Sequence, residues 1–437
     1  MKNLPDPDCK KKRQHDFVLT LFLAVFLLLN CGVFDYSSLL FGLVKYRAAV
    51  NFAVGVLLLI FLRIFRIRKE IRPYDRYFRK PLLWVLALYC TVFVYDFSRV
   101  LSDYQNTALP SLLSQILVIL AVYLLLPYGV YDLQKFLLRM QVVLGLVALI
   151  VCVQYFFPGA VFPGDFTGGW ITAEEGVRRY THTAYHLAMV SFFITSFQMF
   201  SRMMYRKIET AFLTFNFFLQ SVSILVANYR ATMILSFLFV FLSLFWFFVI
   251  GRNGVRRLRG ILCFALFMSL FVLIFSVQFD WFHRVREMGP IFTDENMIYR
   301  FNEIKEGMTL LKSPSDYLFG VGYIRFFYFY KDTFKTFFLH NGFVSVLFNF
   351  GIVGCLIVLN LLFRLFLGIY RKFHGTRREL FYISVGYLLV LLGQNFSSGI
   401  FTREPSALLG FGIFILVLKL QDSEPRCPRS TAEAHLG

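Results

Sequence analysis

The stretch NGFVSVLFNFGIVGCLIVLNLLF, residues 341–363, contains no Asp, Glu, Lys or Arg and opens on an Asn-Gly pair. At a helical rise of 1.5 Å per residue, about 20 such residues cross a hydrocarbon core. A single stretch of this kind is also compatible with a buried core helix. Moving outward, however, the pattern recurs at 381–399 and 405–420 on one side. On the other it recurs at 17–34, 48–62, 81–97, 110–127, 141–157, 181–200, 210–228, 231–250 and 261–279. Twelve runs in succession leave the core-helix explanation little ground. Composition agrees: the 437 residues are 58% hydrophobic and 16% charged, with a mean hydropathy of +0.63. Soluble domains are roughly 45–50% apolar and about 25% charged. The expected fold is an all-α polytopic membrane protein with about 12 transmembrane helices.

Basic residues near span ends stay on the cytoplasmic side, so their distribution orients the chain. With the N-terminus inside, the inner segments carry 30 of the 45 lysines and arginines. The short outer loops carry 7, and one long outer loop carries 8. This predicts a cytoplasmic tail at 1–16, a transmembrane domain at 17–420, a long outer loop at 280–340 and a cytoplasmic tail at 421–437. The net charge of +19 is then mostly an orientation signal. Nucleic acid is the poorer explanation, because the cations are dispersed over inner loops. Residues 63–80 are also suited to anionic membrane lipids.

The outer loop is long enough to expect function from it. Residues 297–312 read as an amphipathic helix stopped by Ser313-Pro314. Met297, Phe301, Ile304, Met308 and Leu311 share a face, Glu303 and Glu306 point away, and Arg300 falls at the edge of the apolar face, aimed inward. Gly320-Val321-Gly322 marks a turn, and the aromatic run 326–330 reads as an interfacial belt. Asn341 is placed to cap the next span, which sets His340 beside a helix N-terminus at the outer membrane face. The positive end of that dipole favours a neutral, proton-accepting imidazole.

Other cations sit at outer span ends: Arg178 and Arg179 before the sixth span, Arg230 in the turn between the seventh and eighth, and Arg403 before the twelfth. Each alone is a snorkelling anchor. Converging on one mouth, they suit an anionic lipid headgroup, since guanidinium matches phosphate oxygens bidentately. The span interiors show no Asp, Glu, Lys or Arg, which counts against an ion-coupled transporter. Asn216 and Gln220 read as interhelical hydrogen-bonding groups. The single Asp-x-Asp, Asp6-Pro7-Asp8, lies in the N-terminal tail, so no outer metal site and no cofactor are expected.

Taken in order, Asn228-Tyr229-Arg230-Ala231-Thr232, Tyr299-Arg300, Lys312-Ser313-Pro314, Gly320-Val321-Gly322, His340-Asn341-Gly342 and Gly351-Ile352-Val353-Gly354 resemble the bacterial O-antigen ligase and polymerase family over 210–420. The resemblance implies an inner-membrane, metal-independent, inverting glycosyltransferase. Such an enzyme moves a glycan from undecaprenyl diphosphate to a periplasmic acceptor. It implies Arg230 and Arg300 as diphosphate contacts and His340 as candidate base, with Arg179 and Arg403 added as further contacts by the charge argument above. Lipid A core as acceptor makes the enzyme a ligase, the favoured assignment; another O-antigen or capsule repeat unit makes it a polymerase. Ligases often carry a further His where this chain has Phe338. A lipid-linked glycan transporter is the alternative from another class, binding the same headgroup without making a bond.

Overall fold

Helices form where the apolar runs place them. The computed structural model describes residues 7–31, 47–64, 75–100, 109–126, 130, 132–157, 171–174, 177–180, 184–201, 203, 205–227, 230–246, 295–323, 326–330, 333–337, 341–375, 377–397, 401 and 405–420. In chain order the elements are α1 (Pro7–Asn30), α2 (Arg47–Ile64), α3 (Asp75–Val100), α4 (Leu109–Leu125), α5 (Leu133–Phe156), β1 (Ile171–Glu174), β2 (Val177–Tyr180), α6 (Tyr185–Phe200), α7 (Lys207–Ala227) and α8 (Arg230–Phe245). They continue with α9 (Glu295–Thr309), α10 (Pro314–Phe319), β3 (Phe326–Tyr330), β4 (Thr333–Phe337), α11 (Gly342–Phe373), α12 (Arg378–Ser397) and α13 (Pro405–Leu420). Every apolar run carries a helix except 261–279, which lies outside the described residues.

Among the described residues, Arg76–Phe97, Leu133–Phe156, Lys207–Ala227 and Gly342–Phe373 are long and apolar enough to cross a membrane, by length and composition. Their surfaces fit a hydrocarbon solvent. On α11, Leu356, Leu359 and Phe363 form an exposed stripe, while Val358, Leu361, Leu362 and Leu365 are buried. The body is helical as expected, and the described residues also form two small antiparallel hairpins. One pairs β1 with β2, Thr172 opposite Arg179; the other pairs β3 with β4, Phe326 opposite Phe337. The aromatic run 326–330 forms a strand of the second hairpin.

α6 is buried nearly all round, which is the condition for a helix without a polar face. Phe193 at its centre meets Tyr387 of α12 and Phe414 of α13, with ring centroids 4.8 and 4.7 Å away. A polar seam joins α5, α6 and α7. The Gln141 amide donates to the Ser191 carbonyl (3.1 Å) and the Thr195 hydroxyl (2.9 Å), and its oxygen accepts from Ser191 Oγ (2.6 Å) and Asn216 Nδ2 (2.8 Å). Gln220 donates to Asn216 one turn away at 3.3 Å. Asn216 thus makes the interhelical hydrogen bond expected of it, whereas the Gln220 bond to Asn216 stays within α7.

α11 runs antiparallel to α3. Gly368 packs on Tyr77 and Phe78, Gly354 on Leu88, and the Phe350 ring lies 5.0 Å from that of Tyr89. At the far end Lys372 reaches across to donate to the carbonyls of Leu418 and Lys419, capping the last turn of α13. At the near end Gly342 abuts Asn395 of α12, Leu235 of α8 touches Gly393, and His186 Nδ1 of α6 lies 2.7 Å from the Gln394 amide. Gly410 of α13 in turn faces the His186 carbonyl at 3.3 Å. The N-terminal parts of α6, α8, α11 and α13 thus gather around the C-terminal end of α12.

Candidate functional site

The site begins with an interrupted helix. Asn341 caps α11, its side-chain oxygen accepting from the N–H groups of Phe343 (3.0 Å) and Val344 (3.2 Å). The helix breaks at Gly351, whose φ of 66° and ψ of −168° suit only glycine. Backbone polar groups at such a break need partners inside an apolar body. The carbonyls of Phe348 and Asn349 find them in the preceding loop: Val321 N–H donates to the first at 2.9 Å and Gly322 N–H to the second at 3.2 Å.

That loop is shaped to reach them. Ser313 and Asp316 form a capping box, with Pro314 at the start of α10. Ser313-Pro314 therefore begins a new helix as well as following the end of α9. α10 ends at Gly320, with φ of 77°, and Gly322 has φ of 81°. A Cβ on Gly320 would lie 2.4 Å from the Asn349 carbonyl, and one on Gly351 would lie 2.3 Å from the Leu318 oxygen. The glycines let two backbones touch where any side chain would hold them apart.

Beneath the turn lies Asp96 of α3, fully buried. Its Oδ2 accepts from the Tyr323 N–H at 2.7 Å. The Tyr323 hydroxyl donates to Gln115 Oε1 of α4 and lies 3.4 Å from the Phe401 carbonyl. Burial pushes the Tyr323 phenol well above its ordinary range, with the neighbouring Tyr89 adding to the effect, so it stays a neutral donor at any physiological pH. Asp96 corrects the expectation of acid-free spans: it sits near the end of an apolar run, yet α3 continues past it to Val100.

α9 carries the second correction. Glu303, expected to face away from the body, is buried, while Phe301, expected on the inner face, is exposed. The helix is rolled so that Glu303, Gly307 and, just past its end, Leu311 point inward. Arg300 belongs to the same helix, one turn before Glu303 in sequence. Of the other candidates, Arg230 is the first residue of α8, and Arg179 lies on β2 shortly before α6. His340 and Arg403 fall outside the described residues. Their neighbours do not: Asn341 caps α11, and the Phe401 carbonyl meets Tyr323. Asp96, Gln115, Tyr323, Glu303 and His186 were not among the sequence candidates. A closer count of acids within the apolar runs would have found Asp96.

Apolar helices with exposed apolar stripes, a buried polar clasp and a broken helix define a polytopic helical membrane protein, with its candidate site where helix N-termini meet an inserted loop. Residues 215–359 match the family model described as O-antigen ligase. The match spans α7 to the middle of α11, including the turn and the break, and bears out the resemblance carried by the motifs. Its implication, at a coarse level, is glycosyl transfer of the O-antigen ligase or polymerase type. No curated protein matches the chain.

Proposed function

We propose that this protein transfers a glycan from undecaprenyl diphosphate to an acceptor at the periplasmic face of the inner membrane. The observation that carries the proposal is the family match at 215–359, which takes in Arg230, Arg300 and His340 together. The acceptor hydroxyl oxygen attacks the anomeric carbon from the side opposite the diphosphate. The carbon–oxygen bond to the carrier breaks, its electron pair leaves on the diphosphate, and the configuration inverts. Arg230 and Arg300, with Arg179 and Arg403, stabilise the charge growing on the leaving group. His340, neutral beside a helix N-terminus, takes the hydroxyl proton, a role worth about 10²–10⁴-fold in rate. No metal or cofactor enters these steps. The preferred acceptor is lipid A core, which makes the enzyme a ligase; polymerisation of repeat units is the alternative outcome of the same chemistry.

The test is turnover by purified protein with lipid-linked donor and each acceptor. Transfer to core oligosaccharide supports the ligase and chain extension the polymerase; donor binding without product points to a transporter. His340→Ala should abolish transfer and leave donor binding nearly intact, whereas Arg300→Ala should weaken both. Arg230→Lys keeps the charge but loses the bidentate fork, so product should fall at equal expression. The topology belongs to the same proposal: about twelve crossings, both termini cytoplasmic and 280–340 periplasmic. Thiols introduced into 280–340 should react in intact spheroplasts; labelling only after the inner membrane is permeabilised would overturn it.

A further inference from the structure

We infer that Asp96 is a positioning residue for glycosyl transfer: it holds the 320–323 turn against the break in α11 and so sets the spacing between the Arg300 helix and the His340 helix start. The inference rests on the proposed function for its activity and on geometry for everything else.

Asp96 touches the turn at two points. Its Oδ2 accepts from the Tyr323 N–H at 2.7 Å. A Cβ on Gly322 would lie 2.1 Å from its Oδ1, so the carboxylate is seated directly on the backbone of Gly322. The turn in turn touches α11 at two points, through the Val321 and Gly322 N–H groups on Phe348 and Asn349. These carbonyls belong to the short helical piece that starts at the Asn341 cap, the residue after His340. On the other side of the turn, α10 follows α9, the helix that holds Arg300. The Tyr323 side chain extends the same linkage to Gln115 and to the Phe401 carbonyl, two residues before Arg403.

One buried carboxylate therefore stands behind the segments that bear three of the candidate site residues, although Asp96 itself lies outside the matched family region. A carboxylate in an apolar membrane body is costly to keep and marks function more often than packing. Its contacts with the turn are to the Tyr323 N–H and the Gly322 backbone, so through them it acts on position. Its effect falls on geometry, and a displacement of about 1 Å in a reacting constellation is enough for roughly 10²-fold in rate.

The experiment uses the purified full chain with an undecaprenyl-diphosphate-linked donor, together with hydrogen exchange over the peptide containing Tyr323. Asp96→Ala should lower kcat about 10- to 100-fold, leave the donor KM within about twofold and raise exchange at Tyr323. Asp96→Asn keeps an acceptor oxygen and should stay within about fivefold of wild-type kcat, with the amide still protected. Wild-type kcat in folded Asp96→Ala, a loss confined to KM, or unchanged exchange at Tyr323 would each overturn the inference. Should the alanine variant not fold, Asp96→Asn decides alone: a kcat loss beyond tenfold in folded protein with Tyr323 still protected overturns it, and retained kcat supports it. If the wild-type protein itself transfers no glycan, the proposed function fails. The exchange arm then still reads whether Asp96 holds the turn.

Discussion

Two regions of this molecule carry polar groups into an apolar body, and they do so differently. The seam between α5, α6 and α7 is made largely of side chains: Gln141, Ser191, Thr195, Asn216 and Gln220 satisfy one another and the Ser191 carbonyl. The clasp between α3, the 320–323 turn and α11 is made largely of backbone, two N–H groups meeting two carbonyls across a pair of glycines. Side chains reach across a gap and adapt when one partner changes. Backbone contact needs the chains themselves to touch, so its tolerance is set by the missing Cβ atoms. The seam joins helices that are already complete, whereas the clasp completes one that is broken.

The sharpest way to break the comparison is at Gly351. Gly351→Ala places a methyl at 2.3 Å from a carbonyl oxygen at positive φ and should cost about 3 kcal/mol or more. A thermal unfolding shift as small as that of a lipid-facing variant would mean that the break is not fixed by contact. Next in size is Tyr323→Phe, which takes the hydroxyl away from Gln115 and the Phe401 carbonyl and should cost about 1–3 kcal/mol. The seam should be softer. For Gln141→Leu we expect about 1 kcal/mol, the scale of interhelical hydrogen bonds in membranes; a loss equal to that of Gly351→Ala would erase the distinction. Leu356→Ala, on the exposed stripe of α11, should shift stability by no more than about 0.5 kcal/mol. Lipid tails are as apolar as leucine, so little is lost when the side chain is shortened.

The same contrast explains what was legible in the amino-acid order. Apolar runs announce helices because the bilayer imposes one length scale, and Asn341 and Ser313 announce helix starts because capping is local. The roll of α9 was legible in part. Periodicity placed Leu311 inward and Glu306 outward, but it assigned Phe301 and Glu303 to the wrong faces. Hydrophobicity names the inner face only when the outside is water, and beside a membrane an exposed Phe301 is unremarkable. The break in α11 left no trace in hydropathy, since Gly351 sits within an uncharged run and a glycine's φ is not encoded in its polarity. The second hairpin was hidden for a related reason: Phe-Phe-Tyr-Phe-Tyr lacks the polar alternation by which a strand is recognised. Asp96 finds its partner 227 residues away, a distance over which no periodicity speaks.

That separation also orders the protein's birth. α3 leaves the ribosome long before the turn does, and at about 5–20 residues per second the Tyr323 amide follows Asp96 by roughly 10–50 s. During that interval a carboxylate destined for burial has to be accommodated without the N–H it will finally accept. α3 therefore either lingers near the insertion machinery or leans on its early neighbours until the later helices arrive. Variants of the turn should on this account lower the amount of protein that reaches the membrane before they alter what the survivors can do.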